Sequence, residues 1–510
     1  MLKTLLNKKL NTKGYFIVFF FIFLLHLITI NWYPTNFEGA YSKLAFFFLQ
    51  QDKLFLIDSF YNVQANTIIF SLLSSLLSKA IIFLSPEATI RILSATSYFF
   101  LIIAFKNLLS FLKKENNLLF LIIFMSNPLI WYYGHRIYVD LFAFSIGVYG
   151  FSILLDNFKN KKKVLQTSLW ISFAIILKPF NLIYLPIIFI YLFFIEKIRF
   201  ELKFNLIVGI IFPIFIFFIF LFLNKYYFDF YLLPDKFVSD GSIFIKLEKI
   251  NLAYLLNIFS NFIYYVGYLG LITFPLLFKL TKKSLNKNLI FKIIIIFSIS
   301  FLLSKFLSSN YGEINLGPIQ RLFNIDFYKL IICTFFTYIF YLIFSLKKIV
   351  EERFDLKKIY FFISIILIYI FILSFLKLSQ RYLLLTIPFF YCLIFIISNS
   401  IYIYMINLKF NVLIILLLLL NYNIQSNLTS QLFTIMKERD IIFQTNPGPL
   451  LPHLMHEYQH IKNYKNKRLM YFDTITRYKI SNEPFNNKRS EVFSYNLFGK
   501  SLKKIYLVSY

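Results

Sequence analysis

Long apolar runs alternate with short lysine- and arginine-rich stretches along most of the chain. Runs such as Tyr15–Ile30, Ile207–Leu223 and Asn411–Leu420 with their flanks are long enough for bilayer helices, which need about 20 apolar residues when untilted. Short loops rich in Lys or Arg stay in the cytoplasm. Anchored on those loops, the pattern predicts about 13 spans. The first, at about 15–32, leaves the cytoplasm and opens a long outer loop at about 33–88. Within that loop the apolar piece Ile68–Leu84 is read as lying along the interface, because a span there would put Lys113 and Lys114 outside. Spans follow at about 89–110, 117–133 and 140–157. A short hairpin at about 164–178 and 180–195 carries Lys178-Pro179 at its outer tip. Later spans fall at about 205–223, 254–278, 289–307, 326–346, 359–376, 382–398 and 401–421. The expectation is an all-α polytopic membrane domain over 1–421, followed by a small polar region at 422–510 on the outer side.

Composition agrees. The 510 residues are 59% hydrophobic and 15% charged, with a mean hydropathy of +0.70. No soluble domain of this length could bury so much apolar surface. The net charge of +29 fits basic residues flanking many cytoplasmic helix ends, so nucleic acid is not implied. The two cysteines, Cys333 and Cys392, sit inside apolar runs, which argues against a disulfide framework or a thiolate metal site. The N-terminus carries Lys3, Lys8, Lys9 and Lys13 before its apolar core but no small-x-small cleavage site. It is therefore read as an uncleaved first helix.

This topology collects charge at the outer boundary. Glu38 follows span 1, Asp58 lies further along the same loop, and Arg91 opens span 2. His135, Arg136, Tyr138 and Asp140 join spans 3 and 4. Lys178 tips the hairpin, Arg321 lies in an outer loop, and Arg381 opens the twelfth span. Ionisable groups at a membrane boundary are costly without a task or a partner. Several cations beside one or two acids suit a reaction on an anionic lipid headgroup. The cations neutralise a phosphate, and a carboxylate takes the proton of an attacking hydroxyl. Sugar transfer from a polyprenyl-phosphate carrier fits. It needs no nucleotide site, and the chain has no Walker or dinucleotide motif.

Four segments carry a family resemblance. Glu87–Leu109 resembles the Arg-opened second span of GT-C glycosyltransferases. Asn127–Leu155 resembles their passage from span 3 to span 4, with Pro, Tyr, Arg and Asp in order. Ser172–Phe194 is similar to their Lys-Pro hairpin, and Gln380–Pro388 to their late Arg-Tyr-Leu-Leu…Pro element. The pattern is nearest to the protein O-mannosyltransferase and lipid A aminoarabinose transferase group. The resemblance implies an inverting hexosyl- or pentosyltransferase of a bacterial inner membrane, working on the periplasmic face. Its partners would be a polyprenyl-phosphate sugar donor and a lipid, glycan or protein acceptor of the cell envelope. It implies Glu38 and Asp140 as catalytic acids, and Lys178, Arg381 and Arg91 as contacts to the donor phosphate. Asp58, His135, Arg136, Tyr138 and Arg321 are candidates for substrate contact. No cofactor is required, and there is room for a divalent metal. One departure stands out: where relatives carry a Lys-Pro-Pro or His-Pro-Pro turn, this chain reads Tyr61-Asn62-Val63-Gln64-Ala65-Asn66.

Plain structural readings compete at each position. Asp140 would favour the N-terminal dipole of its own helix, Lys178 would snorkel, and the tyrosines would form an interfacial belt. His453, His456 and His460 share one face if the tail is helical there. A lipid-linked-sugar flippase predicts polar groups near the bilayer midplane and repeated halves. An O-antigen polymerase or ligase would concentrate arginines in a late outer loop. This chain has few mid-span charges, and its longest outer loop is the first.

Overall fold

The computed structural model describes residues 12–32, 68–81, 86–112, 118–156, 160–191, 207–228, 251–276, parts of 291–302, 328–339, 356–376, 378–397, 401–439, 444–445, 478–481, 490–497 and 500–509, with single residues 84 and 231. Glu38, Asp58, Arg321 and the tail histidines lie outside them.

The described part of 12–439 is helical. In chain order the helices are α1 (Thr12–Leu27), α2 (Ile68–Ala80), α3 (Pro86–Phe111), α4 (Leu118–Met125), α5 (Pro128–Gly134), α6 (Val139–Asp156), α7 (Lys161–Leu177) and α8 (Tyr184–Tyr191). Then come α9 (Phe212–Phe228), α10 (Leu252–Ile272) and α11 (Tyr328–Ile339). The last are α12 (Leu356–Ser374), α13 (Ile387–Ile397) and α14 (Ile401–Arg439). Five helices among the described residues are long and apolar enough to cross a membrane, or six if α5 and α6 count as one bent span. The chain is a multi-pass membrane protein.

The core is built around α6, which packs against α3 on one side and α7 on the other. Phe105 stacks on Phe124 at 4.2 Å, and Tyr184, Tyr191, Phe361 and Phe389 close around Phe151. The opposite extreme is α9, where Phe218 and Phe222 are 63% and 73% exposed. No solvation cost attaches to apolar side chains facing lipid, and the helix satisfies its own backbone.

Three expectations from hydropathy need correction. The run at 117–133 is not one helix. It breaks at Ser126-Asn127, and Asn127 caps α5 by accepting a bond from the Leu129 amide at 3.0 Å. Pro128 occupies the first turn of α5, where its missing N–H costs nothing. From there α5 turns by 120° into α6. The twelfth span does not begin as an α-helix but as a 3₁₀ turn at Gln380–Leu385, whereas the expected hairpin turns at its Lys178-Pro179 tip through the 3₁₀ turn Pro179–Ile183. The final helix does not stop near 421 but continues to Arg439. Tyr422, Ile424 and Leu428 are buried along that extension.

The 13 residues of α2 reach only about 20 Å at 1.5 Å per residue, short of a bilayer core of about 30 Å. Its serines hold it in place. The Ser74 and Ser78 hydroxyls bond Thr89 of α3 at 2.8 and 3.0 Å. The C-terminal region adds a four-stranded sheet of order β1-β2-β4-β3, formed by Gln444–Thr445, Tyr478–Ser481, Ser490–Leu497 and Lys500–Ser509. Here β1 and β2 run parallel, and the other pairs are antiparallel. The sheet follows the helices in the chain, and β3 contacts α14.

Candidate functional site

The breaks in the helices deliver the polar residues. Lys178 sits between α7 and the following 3₁₀ turn in an extended conformation, with φ −154° and ψ 112°. A residue before proline is pushed into that region. Asn181 fixes the corner by donating to the carbonyls of Ala174 and Lys178 at 2.9 and 3.0 Å. Arg381 lies in the 3₁₀ turn after α12. There the Ser379 amide donates to the Tyr265 hydroxyl at 2.9 Å, and the Gln380 amide group bonds Tyr264. Asp140 occupies the first turn of α6, where the helix dipole favours a negative charge. His135 and Arg136 sit at the C-terminal end of α5.

These breaks meet in one buried layer. Lys178 and Asp140 form a salt bridge, with 1% and 0% of the two side chains exposed. Asp140 Oδ2 has no hydrogen-bond partner. The Lys178 ammonium lies 5.2 Å from the centre of the Tyr382 ring. On the same ring sits Arg381 at 5.1 Å, while Phe180 stacks against it at 4.5 Å. Arg381 also faces Tyr138 at 5.7 Å. Arg136 shares Tyr138 at 5.4 Å and packs on Tyr132 and Tyr422 at 4.8 and 5.0 Å. Arg91 completes the row, donating to the Tyr422 hydroxyl at 2.9 Å and to the Ile30 carbonyl at 2.6 Å. Cations and tyrosines alternate across the layer, each ring giving a cation its negative face. Asp140 is its one carboxylate among the described residues.

Beside this row lies a neutral cluster. His135 stacks on His26 at 3.9 Å with an interplanar angle of 11°, and its Nδ1 meets Thr29 Oγ1 at 3.1 Å. His26 bonds the Ile22 carbonyl through Nδ1 and the Tyr98 hydroxyl through Nε2. Tyr98 comes close because residue 134 is glycine: a Cβ there would lie 2.2 Å from the Tyr98 oxygen.

The six ionisable residues expected in the outer layer that are described, namely Arg91, His135, Arg136, Asp140, Lys178 and Arg381, are buried; all but His135 are linked through shared tyrosines, a salt bridge and hydrogen bonds, and His135 lies in the cluster beside them. Tyr138 stands between two guanidinium groups. Sequence reasoning passed over Tyr382, Tyr422, Asn181, Thr29 and His26. A histidine inside an apolar span was a readable signal, since such a group is expensive in a bilayer. Among the described residues, no group of three or more His, Cys, Asp or Glu converges to hold a metal. Asp140 is already engaged by the Lys178 ammonium.

No family model matches the chain, and no curated protein matches it in sequence. Two crystal structures of ArnT from Cupriavidus metallidurans are similar to it. The apo form matches at 10% identity over 97% of this chain and 98% of that one, with a TM-score of 0.42. The form bound to undecaprenyl phosphate matches at 11% identity over 98% of each, also with a TM-score of 0.42.

Proposed function

We propose that this protein is an inverting, GT-C-like glycosyltransferase of a bacterial inner membrane, transferring a sugar from a polyprenyl-phosphate donor to an envelope acceptor on the periplasmic face. The observation that carries the reading is the buried row of Arg91, Arg136, Lys178 and Arg381 around one described carboxylate, Asp140. Such a row of cations suits the phosphate of a lipid carrier, which guanidinium and ammonium groups hold by charge-assisted hydrogen bonds.

In the reaction, a hydroxyl oxygen of the acceptor attacks the anomeric carbon. Its proton passes to Glu38, and the bond from that carbon to the phosphate oxygen breaks with its electron pair. Attack opposite the leaving group inverts the sugar. Lys178 and Arg381 neutralise the phosphate as it leaves, an interaction that strengthens as charge develops. Asp140 holds Lys178 in place and presents Oδ2 to the acceptor hydroxyl. Arg91 closes one end of the row and has a holding role, because its described hydrogen bonds end on Ile30 and Tyr422.

The test is transfer of sugar from polyprenyl-phosphate donors by the purified full chain in lipid nanodiscs, alongside mass spectrometry of envelope lipids and glycans from a deletion strain. Glu38→Gln is expected to lower transfer by roughly a hundredfold or more while the protein stays folded and inserted. Full activity in that variant removes the base assignment. An unchanged envelope together with no transfer from any donor removes the enzyme reading.

A further inference from the structure

Helix α12 ends at Ser374, and the chain turns before it reaches Arg381. A helix end leaves its last carbonyls without partners, and inside a bilayer there is no water to take them. Here one face of α10 does so. The Ser374 carbonyl accepts from Asn261 Nδ2 at 3.1 Å, and the Phe375 carbonyl from the Tyr254 hydroxyl at 3.4 Å. Ser379 is extended, with φ −154° and ψ 121°, and its N–H goes to the Tyr265 hydroxyl at 2.9 Å. Tyr254, Asn261 and Tyr265 are spaced by seven and four positions, which puts them on one side of a helix. Tyr264, next to Tyr265, takes the side-chain amide of Gln380. On the far side of Arg381, the Tyr382 carbonyl accepts from the hydroxyl of Tyr369 of α12 at 3.1 Å.

These bonds bracket Arg381. The backbone on either side of it is held by a tyrosine hydroxyl, within a 3₁₀ turn whose own hydrogen bonds have poorer geometry than those of an α-helix. The base that holds them is itself fixed. Gly267 and Gly270 bring α10 close to α11: a Cβ on Gly267 would lie 2.3 Å from the Ile331 carbonyl oxygen, and one on Gly270 would lie 2.6 Å from the Tyr338 ring. Close approach through small residues is how membrane helices lock together. Asn261, Tyr264 and Tyr265 are all buried, and a buried N–H or carbonyl that loses its partner is costly. The hydrogen bonds from these three side chains end on Ser374, Gln380 and Ser379, so α10 acts on Arg381 through the turn that carries it.

We propose that this polar face of α10 is the positioning element for Arg381, with Tyr265 as its principal positioning residue: by taking the Ser379 N–H it sets the backbone two residues ahead of the guanidinium that holds the donor phosphate. The proposal rests on the glycosyltransferase reading and adds to it the helix that keeps the phosphate site in shape.

Nitrogen-15 NMR on the full chain in lipid nanodiscs, labelled at arginine, reads the guanidinium without turnover. The Arg381 Nε signal is assigned by its loss in Arg381→Lys. Tyr265→Phe keeps the ring and removes the acceptor of the Ser379 N–H; the Arg381 signal should then shift and broaden. Affinity for a polyprenyl phosphate without sugar should fall by about tenfold. With an active donor, donor KM should rise by a similar factor while acceptor KM holds. Tyr264→Phe loses only the Gln380 contact and should move the same quantities by about two- to threefold; it carries the test if Tyr265→Phe does not fold. Thr273→Val removes a bond at the other end of α10, to the Leu269 carbonyl at 2.6 Å. It should lower the melting temperature and leave both the arginine signal and the phosphate affinity in place. An Arg381 signal unmoved in both tyrosine variants overturns the proposal. So does phosphate affinity that stays at the wild-type value in both, and so does an equal effect of Thr273→Val, which would reduce α10 to a matter of stability. No binding of polyprenyl phosphate by the wild type, with the Arg381 signal still displaced in Tyr265→Phe, upholds the holding of Arg381 and marks the failure of the parent reading.

Discussion

The two flanks of the buried layer hold their polar groups by different means. Around Asp140, Lys178 and Arg381, charge is matched by charge and by the faces of Tyr138 and Tyr382. Around His26 and His135, the groups are ordered by directional hydrogen bonds among ring nitrogens, hydroxyls and backbone carbonyls. The charged flank stakes stability on keeping both partners. The histidine flank stakes geometry on the direction of its hydrogen bonds. Variants that affect one flank and spare the other separate the two designs.

The largest effect belongs to the ion pair. Asp140→Leu leaves the Lys178 ammonium buried with its carboxylate gone, which should cost about 3–5 kcal/mol. The double variant Asp140→Leu with Lys178→Met removes the stranded charge and should recover much of that loss. Transfer should be abolished in both. Thermal unfolding in detergent reads the stability. If Asp140→Leu melted with the wild type, the salt bridge would not be what holds α6 to the α7 corner.

Arg91 comes next, on the boundary between the flanks. Its guanidinium spans from Ile30 at the end of α1 to Tyr422 on α14. Arg91→Met should cost about 1.5–3 kcal/mol, as expected for hydrogen bonds to a charged group, with donor KM little changed. Arg381→Met should do the reverse. A large rise in donor KM for Arg91→Met would return Arg91 to the phosphate site that its sequence position first indicated.

That reassignment shows what the sequence could carry. The grouping was legible, because the alternation of apolar runs and lysine-rich loops leaves Arg91, His135, Arg136, Asp140, Lys178 and Arg381 at one end of the expected spans, and all six are buried. Their partners were not. Lys178 finds Asp140 across 38 positions, and Arg91 finds Tyr422 across 331. No local period encodes such pairs. In a chain with 36 tyrosines, nothing marks Tyr422, and the Arg-Tyr-Leu-Leu element holds Tyr382 without showing that its ring touches two cations. The broken span was legible but outvoted: Asn127-Pro128 is a helix-start signal inside a run whose hydropathy alone reads as continuous. The long last helix was hidden by Asn421, Asn423 and Asn427, which lower hydropathy without ending a helix that still buries Tyr422 and Leu428.

The histidine flank has its own variant in Gly134→Ala. The added methyl carbon would meet the Tyr98 hydroxyl at 2.2 Å, so Tyr98 must withdraw from His26. Overpacking of this kind costs about 1–3 kcal/mol. It should also loosen the stack of His26 on His135, seen as broadening of the His26 and His135 nitrogen-15 NMR signals, while the Asp140–Lys178 pair persists. Unchanged His135 signals would uncouple Tyr98 from the stacked rings.

The smallest effect tests what holds the charged flank apart from its carboxylate. Tyr382 meets Lys178 and Arg381 through its ring, and its hydroxyl accepts from Arg381 Nη2 at a long 3.3 Å. A bond that long contributes little, whereas a cation over a desolvated ring is worth about 0.5–2 kcal/mol. Tyr382→Phe should therefore sit within about 0.5 kcal/mol of wild type in stability, its lost bond lying at the weak end of the usual range, with donor KM nearly unchanged. Tyr382→Leu removes the face shared by both cations and the stack on Phe180, and should raise donor KM by roughly two- to tenfold through misplacement of Lys178 and Arg381. Equal losses in the two variants would assign the work to the hydroxyl. The charged flank would then be ordered by hydrogen-bond direction, as the histidine flank is, and the contrast between them would disappear.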